Sequence, residues 1–129
     1  MKSFSVRTQK HTQFLDITHQ VQSSVSDLGI ENGIVTVFIP HTTAGITINE
    51  NADPSVTSDI ADALETAVPW QARYKHSEGN AAAHVKASVM GSSVQVIVEG
   101  GQLLLGTWQA VYFCEFDGPR SRNVWVMGQ

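Results

Sequence analysis

The chain has little of what several function classes require. It carries one cysteine, Cys114, so no disulfide framework can form within it. Cys114 falls on the apolar parity of a strand pattern and reads as a buried packing residue in a reduced compartment rather than as a nucleophile. Positive charge is also scarce: eight Lys and Arg against twelve Asp and Glu give a net charge of −4. The eight are scattered, so the basic stripe of a nucleic-acid binder is missing. No apolar run is long enough to cross a membrane. The opening Met1-Lys2-Ser3-Phe4-Ser5-Val6-Arg7 lacks the apolar stretch of a secretory leader, and a cytoplasmic location is the expectation. Neither a phosphate-binding loop ending in Gly-Lys-Ser/Thr nor a dinucleotide fingerprint follows any strand. Small polar ligands remain.

What is present suits one domain over residues 1–129. At 42% hydrophobic residues the chain can form an independent core without cross-links. The expected fold class is α+β: two layers of mainly antiparallel sheet with about three helices at one side. Phe4 to Thr8 and Gln13 to Ile17 suit an opening hairpin, and Thr18 is placed to cap a helix carrying Val21, Val25 and Leu28 before Gly29. After the Asn32-Gly33 turn, Ile34 to Ile39 has the β-branched character of a strand. Thr43 to Asn49 reads as another, with Ala44, Ile46 and Ile48 on one face. Asp53 before Pro54 is a cap-plus-first-position signature, so Asp53 is assigned to capping rather than catalysis. The helix it starts runs to Val68, stopped by Pro69, with Val56, Ile60, Leu64 and Ala67 at helical spacing. Val94 to Glu99, Leu103 to Leu105, Thr107 to Phe116 and Arg122 to Met127 supply further strands. Within Thr107 to Phe116, parity puts Trp108, Ala110, Tyr112, Cys114 and Phe116 on one face, and Gln109, Val111, Phe113 and Glu115 on the other. Trp108 is expected to support core or subunit packing.

Three polar clusters interrupt this apolar frame. In His76-Ser77-Glu78-Gly79-Asn80-Ala81-Ala82-Ala83-His84, Asn80 is a favourable N-cap, the alanines favour a helix, and Gly91 can end it in a left-handed conformation. His84 then lies in the first turn, where the helix dipole disfavours imidazolium and leaves a neutral ring able to bind a metal or act as a base. His41-Thr42-Thr43 falls at a strand end, and Asn49-Glu50-Asn51 closes the next strand. Glu115-Phe116-Asp117 leaves the last long strand through Gly118-Pro119, followed by Arg120 and Arg122. That turn leaves the two arginines open to either of two readings, solvated hairpin charges or site residues.

The words HTTAGITINENADP, HSEGNAAAH, GTWQ and EFDGPRSR, in that order and widely separated, make the chain resemble the YjbQ-like proteins, described as secondary thiamine-phosphate synthases. The resemblance spans nearly the whole chain. It implies a YjbQ-like fold, assembly as a homotrimer, and a polar pocket near a subunit boundary where histidines collect and a metal ion or anion can bind. The implied activity joins hydroxymethylpyrimidine pyrophosphate to thiazole phosphate with release of pyrophosphate, as a weak or secondary reaction.

The residues then take provisional roles. His41, His76 and His84 with one open position would suit zinc, whose bound water would be a nucleophile near neutral pH. For the transferase, the demands are neutralising the departing pyrophosphate and orienting two ligands. Helix amides after Asn80 would hold phosphate, with Thr42, Thr43, Asn49, Ser77, Asn80 and Arg120 as substrate contacts. Glu50, His84 and Glu115 are the candidates for proton transfer, and Glu50 or Glu115 for Mg²⁺. The histidines and Glu50 rank above Arg120. Three functions follow: a thiamine-phosphate synthase-like transferase, a histidine-metal-dependent hydrolase, or a non-catalytic trimer that binds a small phosphorylated or anionic metabolite. No nucleic-acid or membrane partner is expected.

Overall fold

Alternating valines build the larger of two antiparallel sheets. In a computed structural model describing residues 1–129, the elements in chain order are β1 (Lys2–Arg7), β2 (Gln13–Asp16), α1 (Thr18–Leu28), β3 (Gly33–Phe38), β4 (Ala44–Glu50), α2 (Pro54–Ala67), α3 (Ala81–Met90), β5 (Ser93–Glu99), β6 (Gln102–Leu103), β7 (Gln109–Glu115) and β8 (Ser121–Gly128). The five-stranded sheet has the order β1-β8-β3-β5-β6 and the three-stranded sheet β2-β7-β4. No helix is long and apolar enough to cross a membrane.

Period-two alternation sends Val35 and Val37, Val96 and Val98, and Val124 and Val126 to the inner face of the large sheet. They meet Ala44, Ile46, Val111 and Phe113 of the small sheet, together with Val21 and Val25 of α1. The opposite face of β7 carries Ala110, Tyr112 and Cys114, which with Phe116 pack under Ala83 and Ala87 of α3. The parity read from the sequence therefore separates two cores, one on each side of β7. Cys114 is fully buried, and burial pushes its thiol pKa well up.

Several local expectations are corrected. β1 and β2 do not form a hairpin: β1 pairs with β8 and β2 with β7, because the polar Thr8–Thr12 stretch carries the chain from one sheet to the other. The N-cap of α1 is Ile17, and Asp16 accepts from both the Thr18 amide, at 2.9 Å, and its hydroxyl. Thr18 Oγ1 is turned to accept from the Val111 amide instead. The helices do not share one side, since α1 touches strands of both sheets while α3 lies on β4. Trp108 is 62% exposed and takes no part in either core.

Asp53 does cap α2, accepting from the Ser55 amide at 2.9 Å. No residue of α2 is fully buried. Its C-terminal end is tied down by Glu65, which accepts from Lys86 Nζ at 2.6 Å and from the Trp70 amide at 2.8 Å. The contact between α3 and β4 depends on Gly45, where an added Cβ would lie 2.8 Å from the Gly91 carbonyl oxygen and 3.1 Å from Met90 Cβ. Gly45→Ala should cost about 1–3 kcal/mol through overpacking, read as a lowered urea midpoint with an unchanged slope.

Candidate functional site

The end of the sandwich where β3 leads towards β4 collects most of the polar words. Pro40, His41, Thr42, Thr43, Glu78, Asn80, His84, Arg120 and Arg122 line a cavity of about 350 Å³ with a largely polar wall. A neighbouring cavity of the same size adds Ala87, Ser88, Gly91 and Ser92, and the two share His41, Thr42 and His84 as a common wall. The loop after Pro69, the start of α3, the β3–β4 connection and the start of β8 therefore converge on one region.

Behind the cavity sits a buried ion pair. Glu115 and Arg122 are both buried, and the Arg122 guanidinium grips the carboxylate with two bonds, Nε to Oε1 at 2.9 Å and Nη2 to Oε2. Thr8 Oγ1 donates to Oε1 at 2.9 Å, and the Asp117 amide to Oε2 at 3.0 Å. Burial alone would raise the Glu115 pKa, but Arg122, the Asp117 amide and the Thr8 hydroxyl together hold it below its ordinary value. Arg122 Nη2 also donates to Thr43 Oγ1 at 2.8 Å. The Glu115 carboxylate accepts four hydrogen bonds, so it is placed as a structural anchor and has no free lone pair for proton transfer.

The remaining groups are freer. Arg120 is half-exposed at the cavity, held by Asp117 through Nε to its carbonyl at 2.9 Å and Nη2 to Oδ2 at 3.1 Å. Asn80 precedes α3, but its side chain makes no cap; Nδ2 donates to Asp117 Oδ2 at 2.9 Å, and Oδ1 is buried without a partner. Gly91 ends α3 at φ 92° and ψ 164°, a positive-φ conformation outside the left-handed helical region. His41 Nε2 accepts from the Asn123 amide at 2.9 Å. Burial first, then the Arg122 charge, lower the His41 pKa, so the ring is neutral at pH 7.

Not every candidate comes together. His76 and His84 meet edge to face with centroids 5.1 Å apart, and His76 Nε2 lies 3.9 Å from Glu78 Oε2. Nε2 of His41 is occupied, and no three His, Cys, Asp or Glu side chains converge as a metal group. The donor set of His41, His76 and His84 does not fit a three-nitrogen zinc centre in this arrangement. Ser77 is exposed and outside the cavity wall. Asn49 and Glu50 close β4 at the end away from Thr43, about 20 Å along an extended strand at about 3.3 Å per residue. Asn49 Oδ1 there accepts from the Glu50 amide, and the Glu50 carbonyl from the Tyr112 hydroxyl. Sequence reasoning missed the inward role of Arg122, although its parity with Val124 and Val126 was a usable signal.

The sequence profile described as "UPF0047 protein YjbQ-like" matches residues 2–129. This chain belongs to the YjbQ-like UPF0047 family. Among relatives of this family, the UPF0047 protein YugU of Bacillus subtilis is 48% identical over 127 residues, covering 98% of this chain and 96% of its own. The UPF0047 protein YjbQ of Salmonella typhimurium is 34% identical over 129 residues, covering 95% and 94%. The crystal structure of an uncharacterized conserved YjbQ/UPF0047 protein from Clostridium acetobutylicum superposes with a TM-score of 0.97 at 54% identity over 100% of both chains. A hypothetical protein from Aeropyrum pernix K1 gives 0.93 at 38% identity, covering 99% and 96%. The family fold is thus the compact α+β domain expected from the sequence.

Proposed function

We propose that the His41–Arg120 cavity binds a small phosphorylated or otherwise anionic metabolite, and that the chemistry there is the thiamine-phosphate synthase-like transfer implied by the resemblance. The observation that carries the reading is the polar wall, which sets half-exposed Arg120 beside hydroxyl and imidazole side chains. In such a transfer Arg120 offsets the charge of the departing pyrophosphate, and Thr42 and His84 orient the phosphates. Mg²⁺ would enter with the phosphates, since that ion is commonly held by substrate oxygens and one or two carboxylates. Of the proton-transfer candidates only His84 lies on the cavity wall, because Glu115 is saturated and Glu50 closes the far end of β4.

That distribution favours a second reading, a binding protein without turnover. Titration with inorganic pyrophosphate tests the shared part: Arg120→Ala should weaken binding about tenfold or more, as expected for losing a charge-assisted contact. Unchanged affinity would remove Arg120 from the site. Pyrophosphate release from the two thiamine precursors with Mg²⁺ then separates transferase from binder.

The proposal extends to a cytoplasmic homotrimer. The support for assembly is the outer face of the large sheet, where Ile34, Phe38, Ile97, Trp125 and Met127 are exposed together and no helix covers them.

A further inference from the structure

We infer that His41 serves the cavity as a fixed neutral hydrogen-bond donor through Nδ1–H, and that the ligand therefore presents an oxyanion acceptor, a phosphate or a carboxylate, to that atom. This rests on the anion-binding reading of the site and names the ligand chemistry that one wall of it demands.

The argument starts from strand register. β8 pairs with β3 only from Trp125, opposite Phe38, onwards. Asn123, two residues earlier, has lost β3 as a neighbour on that side, and the chain that continues from β3 brings His41 into its place. The Asn123 amide donates to His41 Nε2 at 2.9 Å. A backbone N–H can only donate, so Nε2 must carry a lone pair, and the single proton of the neutral ring sits on Nδ1.

Both ends of this bond are held by the same guanidinium. Arg122, next to Asn123, is clamped to Glu115, and it also binds Thr43, two residues after His41. A ring turned to ligate through Nε2 would strip the Asn123 amide of its acceptor. Nδ1 has no protein partner and does not belong to the buried atoms left without one, so it is open. His41 lines both cavities, sharing the wall with Thr42 in each and with Arg120 in one, so a ligand there meets this ring. A donor with no acceptor capacity favours an oxyanion oxygen and disfavours an amine or a cation.

Two measurements test this. Long-range ¹H–¹⁵N correlation on the ligand-free protein at neutral pH should show His41 Nδ1 as the protonated, pyrrole-like nitrogen and Nε2 as the bare one. The reverse pattern, or rapid averaging between the two, would overturn the inference whatever the cavity binds. The second is titration of folded variants with inorganic phosphate and, separately, acetate. His41→Asn carries an amide N–H near the position of Nδ1 and should keep affinity within about threefold, whereas His41→Gln places its amide near Nε2 and should lose about tenfold. Equal losses in the two variants would overturn the donor role. Preference for phosphate over acetate, or the converse, identifies the source of the oxyanion. If the wild-type protein binds neither probe, the anion-binding reading falls and the ligand half of this inference with it, while the tautomer is still decided by the spectrum.

Discussion

Glu115→Ala should cost about 3–5 kcal/mol of folding stability, the range seen when one partner of a buried ion pair is removed. The loss comes less from the missing attraction than from what is left behind. Arg122 is 4% exposed, and without Glu115 its guanidinium keeps only Thr43 as a partner. The Asp117 amide loses its acceptor as well, and the Thr8 hydroxyl is left with the Arg120 carbonyl at 3.0 Å. Glu115→Gln, which keeps the shape and part of the hydrogen bonding, should cost less. The pair also sets an acid limb. The Glu115 pKa is held below its ordinary value of 4.5 in the folded chain. The carboxylate therefore contributes fully at neutral pH, and its contribution is lost as the pH falls through the folded value. Urea midpoints measured from pH 7 down to pH 3 should drop more steeply for the wild type than for Glu115→Ala, about in proportion to the one proton taken up. Parallel curves, or a loss under about 1 kcal/mol at pH 7, would show that the clamp is not the anchor its geometry indicates.

How much of this was legible follows from what each signal encodes. Period-two alternation is a local property, so the strands β3, β4, β5, β7 and β8 and the two faces of β7 could be read directly, as could Asp53 before Pro54. Pairing is not local. Nothing in Phe4 to Ile17 says that β1 will seek β8 and β2 will seek β7 about a hundred residues further on, whereas a hairpin is the nearest arrangement that the pattern permits. The site followed the same division. His41, Thr42, Thr43, Asn80, His84 and Arg120 were found because unusual polar words sit at element ends, and the fold brings all six to one cavity. Glu50 and Asn49 were grouped with them through closeness in sequence to His41, but β4 is straight and carries them to its other end. In one dimension Arg122 is open to a reading as a solvated hairpin charge, and Glu115 reads as a strand residue available for proton transfer or Mg²⁺. Only the packing of β7 against the start of β8 reveals them as a buried pair, and Asn80 likewise gives up its capping role because Asp117 lies within reach.

Trp125→Glu should dissociate the proposed trimer and leave the fold intact. Trp125 stacks on Phe38, with centroids 5.8 Å apart and planes 22° apart, at register-paired positions on β8 and β3. Both point outwards, because their neighbours Val124, Val126 and Val37 point into the core. A groove of about 410 Å³ runs along this face, lined by Met1, Ile34, Phe38, Trp125 and Met127 among others. An apolar sheet face of this kind is the sort of surface that a second copy covers. A tryptophan carries about 150–250 Å² of area, so the exposed two-fifths of Trp125 would contribute about 2 kcal/mol per copy once covered. Three copies lose that contribution together, and each introduced carboxylate adds a desolvation cost. Sedimentation equilibrium at micromolar concentration should therefore find a trimer for the wild type and a monomer for the variant, with the same far-UV circular dichroism. A variant that stays trimeric would move the interface elsewhere, and a monomeric wild type would end the trimer proposal. Phosphate affinity of the dissociated variant within about threefold of the wild type would show that one chain suffices for the site. A larger loss would mean that a neighbouring copy completes the site. Glu50 would then be the first residue to substitute, because within one chain β4 holds it away from His84.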